Sequence, residues 1–185
     1  MGLGKTAQAI STIEYIDAKP CLILCPVSLQ RNWINEISKW LAEWCSMSMT
    51  PNRNVDFNVI PYSQVKKYYD VLSCIPYKSM VCDESHYLKN GKAQRTKIVK
   101  KISKKIEHVY MLSGTPIVNR PSELIAPLEI MNMLEEMGGW NYFVKEYCGA
   151  YRDRFGLNIS GAKNLKTLNT ELRKRCYIRR QKKDV

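Results

Sequence analysis

The chain has no C-x-x-C pair, only two histidines, and no stretch approaching the roughly 20 apolar residues of a membrane span. Its seven cysteines, Cys21, Cys25, Cys45, Cys74, Cys82, Cys148 and Cys176, are odd in number. That count argues against a disulfide framework, and the spacing argues against a zinc ribbon. With His86 and His108 alone, a His-rich metal site is not expected. Cys21, Cys25 and Cys82 lie in apolar runs and are expected as small core residues. Nothing reads as a signal peptide, an internal repeat or a low-complexity linker. No membrane association is expected, and a reducing intracellular compartment fits: the nucleus in a eukaryote, the cytoplasm in a bacterium or a viral factory.

What is present is ordinary globular composition with one bias. The 185 residues suit a single domain with a real core. Hydrophobic residues make up 45% and charged ones 25%, which excludes wholesale disorder. The bias is charge: 29 Lys and Arg against 17 Asp and Glu, a net +12. Such an excess suits an anionic partner, most often nucleic acid, although a merely soluble basic protein would share it.

Alternating apolar runs and helix-period segments predict an α/β fold, a parallel sheet flanked by helices. Helices are expected over 5–16, 28–44, 62–72, around Ile98, Ile102 and Ile106, over 121–134 and over 165–175. Strands are expected at 21–25, 57–60, 80–82 and 109–112. The stripe Leu29, Trp33, Ile37, Leu41 and Trp44 reads most simply as core packing. Residues after Gly138 look irregular until the last helix. A motif-bearing core over 1–134 and a lobe-closing helical segment over 135–185 are expected.

Met1-Gly2-Leu3-Gly4-Lys5-Thr6 reads as the back half of a phosphate-binding loop. Glycines let backbone N–H groups approach a polyphosphate, a lysine reaches the β/γ-phosphates, and a threonine hydroxyl can hold Mg²⁺. Gly2, Leu3, Gly4, Lys5 and Thr6 are therefore the candidate nucleotide contacts. Asp83-Glu84-Ser85-His86 follows an apolar strand, so its acids emerge at a strand's carboxyl end, where open α/β sheets place ligands. Asp83, with Thr6, is the candidate Mg²⁺ ligand, and Glu84 the residue that orients water on ATP. Two roles stay open for His86: linking the acidic box to the Ser113-Gly114-Thr115 turn, or capping a loop. The run Lys89, Lys92, Arg95, Lys97, Lys100, Lys101, Lys104, Lys105 contains no acid. It suits a phosphate backbone, though charge runs are usually solvated helix faces. A second basic cluster spans Arg173 to Lys183.

Taken together, these motifs resemble Swi/Snf-type DNA translocases of helicase superfamily two. The resemblance is carried by 1–6, by Pro26-x-Ser28-Leu29-x-x-Asn32-Trp33, by Asp83 to Asn90, by Leu112 to Pro116, and by Ile178-Arg179-Arg180-x-Lys182-x-Asp184-Val185. Asn119-Arg120-Pro121-x-Glu123-Leu124, Tyr147-Cys148, Phe155-Gly156 and Gly161-Ala162-x-Asn164-Leu165-x-x-Leu168 are similar to the annealing-helicase subfamily. The resemblance implies a RecA-like lobe and DNA-dependent ATP hydrolysis coupled to movement on duplex or forked DNA, without sequence preference. It implies that His86, Ser113, Gly114 and Thr115 couple nucleotide state to DNA grip. Ser28, Asn32 and the cations Lys89, Lys92, Arg95 and Lys97 become DNA candidates. It also implies a lobe incomplete at its N-terminus, a second RecA-like lobe outside this chain, and little turnover by the chain alone. A non-catalytic nucleic-acid-binding remnant is the alternative.

Overall fold

The apolar runs become the centre of a sheet. In the computed structural model, which describes residues 4–41, 45–114, 120–154 and 156–179, five parallel strands lie in the order β2-β3-β1-β4-β5. They are β1 (Cys21–Cys25), β2 (Met47–Ser48), β3 (Phe57–Pro61), β4 (Ser79–Cys82) and β5 (His108–Met111). Every residue of β1, β3 and β4 is buried, as a strand covered on both faces requires. Register is continuous across the middle: Leu24 sits opposite Ile60 on one side and Cys82 on the other, and Cys82 opposite Met111.

Side chains alternate between the two faces of such a strand. Cys21, Ile23 and Cys25 of β1 join Phe57, Val59 and Val81 in one core. Helices α1 (Lys5–Tyr15) and α2 (Gln30–Leu41) close that face with Ala9, Ile10, Ile13, Trp33 and Ile37. Each fully buried isoleucine there contributes about 1.5–3 kcal/mol. Leu22, Leu24, Ile60, Met80 and Cys82 are equally enclosed on the other face. Helices α3 (Tyr69–Cys74) and α4 (Gln94–Ser103) touch one another and bury Leu72, Val99 and Ile102.

Several element bounds differ from those expected. The helix expected from 28 begins as a 3-10 turn, Val27–Leu29, and its expected end at Trp44 falls outside the described residues. Tyr62–Gln64 is a 3-10 turn and α3 starts only at Tyr69; Tyr62 is buried with its hydroxyl donating to the Asp83 carbonyl. The buried stripe of α4 is Thr96, Val99, Ile102 and Ser103, and Ile98 is half-buried.

Residues 1–116 and 117–185 form two separate compact units. In the second, a 3-10 turn at Pro121–Leu124 leads into α5 (Ile125–Ile130), then α6 (Gly139–Glu146), an antiparallel hairpin of β6 (Tyr151–Asp153) and β7 (Gly156–Asn158), and α7 (Leu165–Arg175). Neither α6 nor the hairpin was legible in the sequence. Leu124, Leu128, Phe143, Val144, Tyr147, Cys148, Leu168 and Leu172 share its core. Gly161 passes so near α6's end that a Cβ would lie 2.8 Å from the Cys148 carbonyl oxygen. Lys163 donates its N–H to Tyr147 O at 2.8 Å, and Asn164 turns left-handed (φ 50) to begin α7. The annealing-helicase-like residues Tyr147, Cys148, Gly161, Asn164 and Leu168 therefore act in this unit's packing.

Candidate nucleotide and metal site

The carboxyl ends of β1, β4 and β5 deliver three of the expected segments to one edge of the sheet. After β1 come Pro26 and the 3-10 turn carrying Ser28, then Asn32 in the first turn of α2; both Ser28 and Asn32 are exposed. After β4 comes Asp83. After β5 come Leu112, Ser113 and Gly114. Backbone bonds tie these ends together: Asp83 N–H donates to Leu24 O (2.8 Å), Leu112 N–H to Cys82 O (2.9 Å), and Ser85 N–H to Leu112 O (2.9 Å). The acidic box and the serine–glycine turn are thus neighbours, as their order on successive strands suggested. Thr115 lies outside the described residues.

Asp83 is almost completely buried, at 7% exposure, and every polar group on it is engaged. Its Oδ1 accepts the Glu84 N–H at 2.9 Å, its Oδ2 accepts the Trp33 indole Nε1–H at 2.9 Å, and its carbonyl accepts the Tyr62 hydroxyl at 2.8 Å. Burial, and secondly the Asp83 charge, pushes the Cys25 thiol up to about 12. Burial raises the Tyr62 hydroxyl well above its ordinary value, with Cys82 and Asp83 adding to the effect. Both groups therefore stay neutral beside the carboxylate.

Glu84 adopts a left-handed backbone, φ 47 and ψ 53, which non-glycine residues rarely adopt and which clusters at functional sites. That turn starts the 3-10 segment Ser85–Leu88. His86 Nδ1 lies 3.2 Å from Glu84 Oε2, so the imidazole touches the acid expected to orient water. Tyr87 stacks on Tyr62 with ring centroids 5.6 Å apart, and the Arg95 guanidinium lies 5.6 Å from the Tyr87 ring centre. The first turn of α4 is thereby fastened beside the acidic box. Lys92, Arg95 and Lys97 are solvent-exposed, as is Lys89.

Gly4, Lys5 and Thr6 form the start of α1; Gly2 and Leu3 lie outside the described residues. Gly4 is left-handed, φ 65 and ψ 30, and its carbonyl accepts the Gln8 N–H at 2.9 Å. No side chain caps the helix and no acid stands in its first turn. Its N-terminal N–H groups and positive dipole end therefore suit an anion. Lys5 and Thr6 are half-buried, and no ion pair joins Lys5 to a described carboxylate.

Among the described residues no cluster of three or more His, Cys, Asp or Glu could cage a metal. Mg²⁺ asks for less, since it takes one or two protein oxygens and fills its octahedron with phosphate oxygens and water. The Asp83 carboxylate and the Thr6 hydroxyl are hard oxygen donors of that kind. The side-chain partners of Asp83, a backbone N–H and an indole, are themselves neutral.

Trp33 is in the core, as its stripe suggested, but its bond to Asp83, and that of Tyr62, were not foreseen from the sequence. The signal was the tryptophan at the centre of an apolar stripe: a buried indole N–H needs an acceptor, and a leucine would not.

Comparison with known proteins agrees with this architecture. The model of the SNF2-related domain matches residues 1–185. A Caenorhabditis elegans protein, a homolog of "SWI/SNF-related matrix-associated actin-dependent regulator of chromatin subfamily A-like protein 1", is 32% identical over all of this chain and 28% of its own length. Human "DNA annealing helicase and endonuclease ZRANB3" is 34% identical over all of this chain and 19% of its own length. The chain thus spans less than a third of these curated relatives. The structure of the Sulfolobus solfataricus SWI2/SNF2 ATPase core in complex with dsDNA superposes with TM-score 0.68 at 27% identity, covering 80% of this chain and 33% of that one. A match that runs through every residue, on a sheet of the same architecture, means that the chain belongs to the SNF2-related domain family.

Proposed function

We propose that this chain is the ATP-binding lobe of a DNA-dependent ATPase that translocates on or remodels duplex DNA, as an annealing helicase does. The observation that carries the reading is the shared sheet edge, where Asp83 is bonded to Leu24 of β1, Ser85 is bonded to Leu112 just after β5, and the turn that carries Ser28 follows β1. The uncapped start of α1 supplies Gly4, Lys5 and Thr6.

In this reading Gly2 to Thr6 wrap the phosphates and Lys5 meets the β/γ-phosphates. Bound Mg²⁺, held by Thr6 and Asp83, would neutralise charge on those oxygens. Glu84 orients the attacking water, and His86 fixes the direction of the Glu84 carboxylate. Phosphoryl transfer needs such positioning and charge compensation more than covalent chemistry. His86, Ser113, Gly114 and Thr115 connect the nucleotide to the DNA side of the lobe. There Ser28, Asn32, Lys89, Lys92, Arg95 and Lys97 contact phosphates without reading bases. A second RecA-like lobe is the partner that closes over the nucleotide. The parent protein acts where DNA is kept, in repair-like remodelling; among the described residues no helix is long and apolar enough to cross a membrane.

Two named relatives support the DNA part: ZRANB3 is called a DNA annealing helicase, and the Sulfolobus core is bound to dsDNA. The test is a two-lobe protein built by joining this chain to the second lobe of a relative. Duplex DNA should stimulate its ATP hydrolysis, and Glu84→Gln should abolish turnover while leaving ATP bound. Turnover indifferent to duplex DNA would contradict the reading.

A further inference from the structure

We propose that Trp33 is a positioning residue for Asp83, setting the carboxylate for the Mg²⁺–nucleotide complex without neutralising it. The role rests on the nucleotide-binding reading above.

Trp33 is completely buried and Asp83 nearly so, and their 2.9 Å bond joins residues fifty positions apart. The Glu84 N–H holds the other carboxylate oxygen at 2.9 Å. With the Asp83 N–H on Leu24 O and its carbonyl on the Tyr62 hydroxyl, the backbone is clamped as well. What remains free in such a residue is rotation of the carboxylate about its own bond, and the indole removes it. A carboxylate offers about four lone-pair sites, so two N–H donors leave others for water or metal. An indole only donates and carries no charge. A lysine or arginine at the same place would orient Asp83 equally well but would compete with a dication. A phenylalanine would fill the core where α2 packs on the sheet and leave Oδ2 unpaired. Among the apolar residues of this core, tryptophan supplies both the packing and the neutral donor.

The experiment titrates mant-ATP into the full chain by fluorescence anisotropy, first in EDTA and then in saturating Mg²⁺. The wild type is compared with Trp33→Phe and with Trp33→β-(3-benzothienyl)alanine, which puts sulfur in place of the N–H at nearly the same shape. Ile37→Val, on the same face of α2, controls for loosened packing. Affinity in EDTA should be unchanged. The gain produced by Mg²⁺ should shrink about tenfold in both Trp33 variants, the scale typical of losing a hydrogen-bond partner of a metal ligand. Ile37→Val should keep the gain. If Trp33→Phe fails to fold, the benzothienyl variant decides alone. An undiminished Mg²⁺ gain in the benzothienyl variant would show that Trp33 only fills the core. A wild type whose ATP binding ignores Mg²⁺ would overturn the nucleotide reading itself, and this role with it.

Discussion

At the scale of single residues, the site is a set of small conflicts, each resolved by a neighbour. Glu84 stands in left-handed backbone that disfavours any side chain, and the bonds of Asp83 and Ser85 on either side hold it there. Gly4 meets the same geometry without strain, having no Cβ. A Cβ at Gly4 would touch nothing within 4 Å, so the demand is on the backbone alone. Gly4→Ala should therefore lower stability by about 1 kcal/mol in urea unfolding, the left-handed penalty of an ordinary residue. No loss would mean that α1 can begin with a different turn. The motif residues were legible because their chemistry is tied to type and spacing: glycine for close approach, lysine for phosphate, paired acids at a strand end. The bonds of Trp33 and Tyr62 to Asp83 were not. Their contacts with Asp83 depend on β1 lying between β3 and β4, and no local pattern announces that order.

At the scale of elements, the strands were legible wherever burial on both faces removed alternation, as in Cys21–Cys25 and Ser79–Cys82. The two-residue strand β2 was too short to show a pattern. Helix α6 was hidden by Gly138 and Gly139, which look like a break. With φ 92 and 77 they are instead the left-handed entry to a helix that buries Phe143 and Val144. The basic run was legible as charge but not as geometry. Only the structure shows Arg95 fastened on Tyr87 beside the acidic box. If α4 and the loop before it contact DNA phosphates, each such contact contributes about 0.9 to the slope of log affinity against log salt. Changing Lys92, Lys97, Lys101 and Lys104 together to Gln should flatten that slope by about two to four, with little change in sequence preference. An unchanged slope would make the run a solvated face and leave Ser28 and Asn32 as the contacts.

At the scale of the molecule, a five-stranded parallel sheet gathers loops from three strands at one edge, and helix α1 packs on the same sheet through Ile10 and Ile13. The proposed ATP site lies at that edge, and its direct check is nucleotide binding by the chain itself. Mant-ATP anisotropy in Mg²⁺ should show saturable binding to the wild type, about tenfold or more weaker binding to Lys5→Ala through loss of a charge-assisted phosphate contact, and nearly unchanged binding to Glu84→Gln. Equal losses in both variants, or no binding by a folded wild-type chain, would contradict the assignment of this edge as an ATP site.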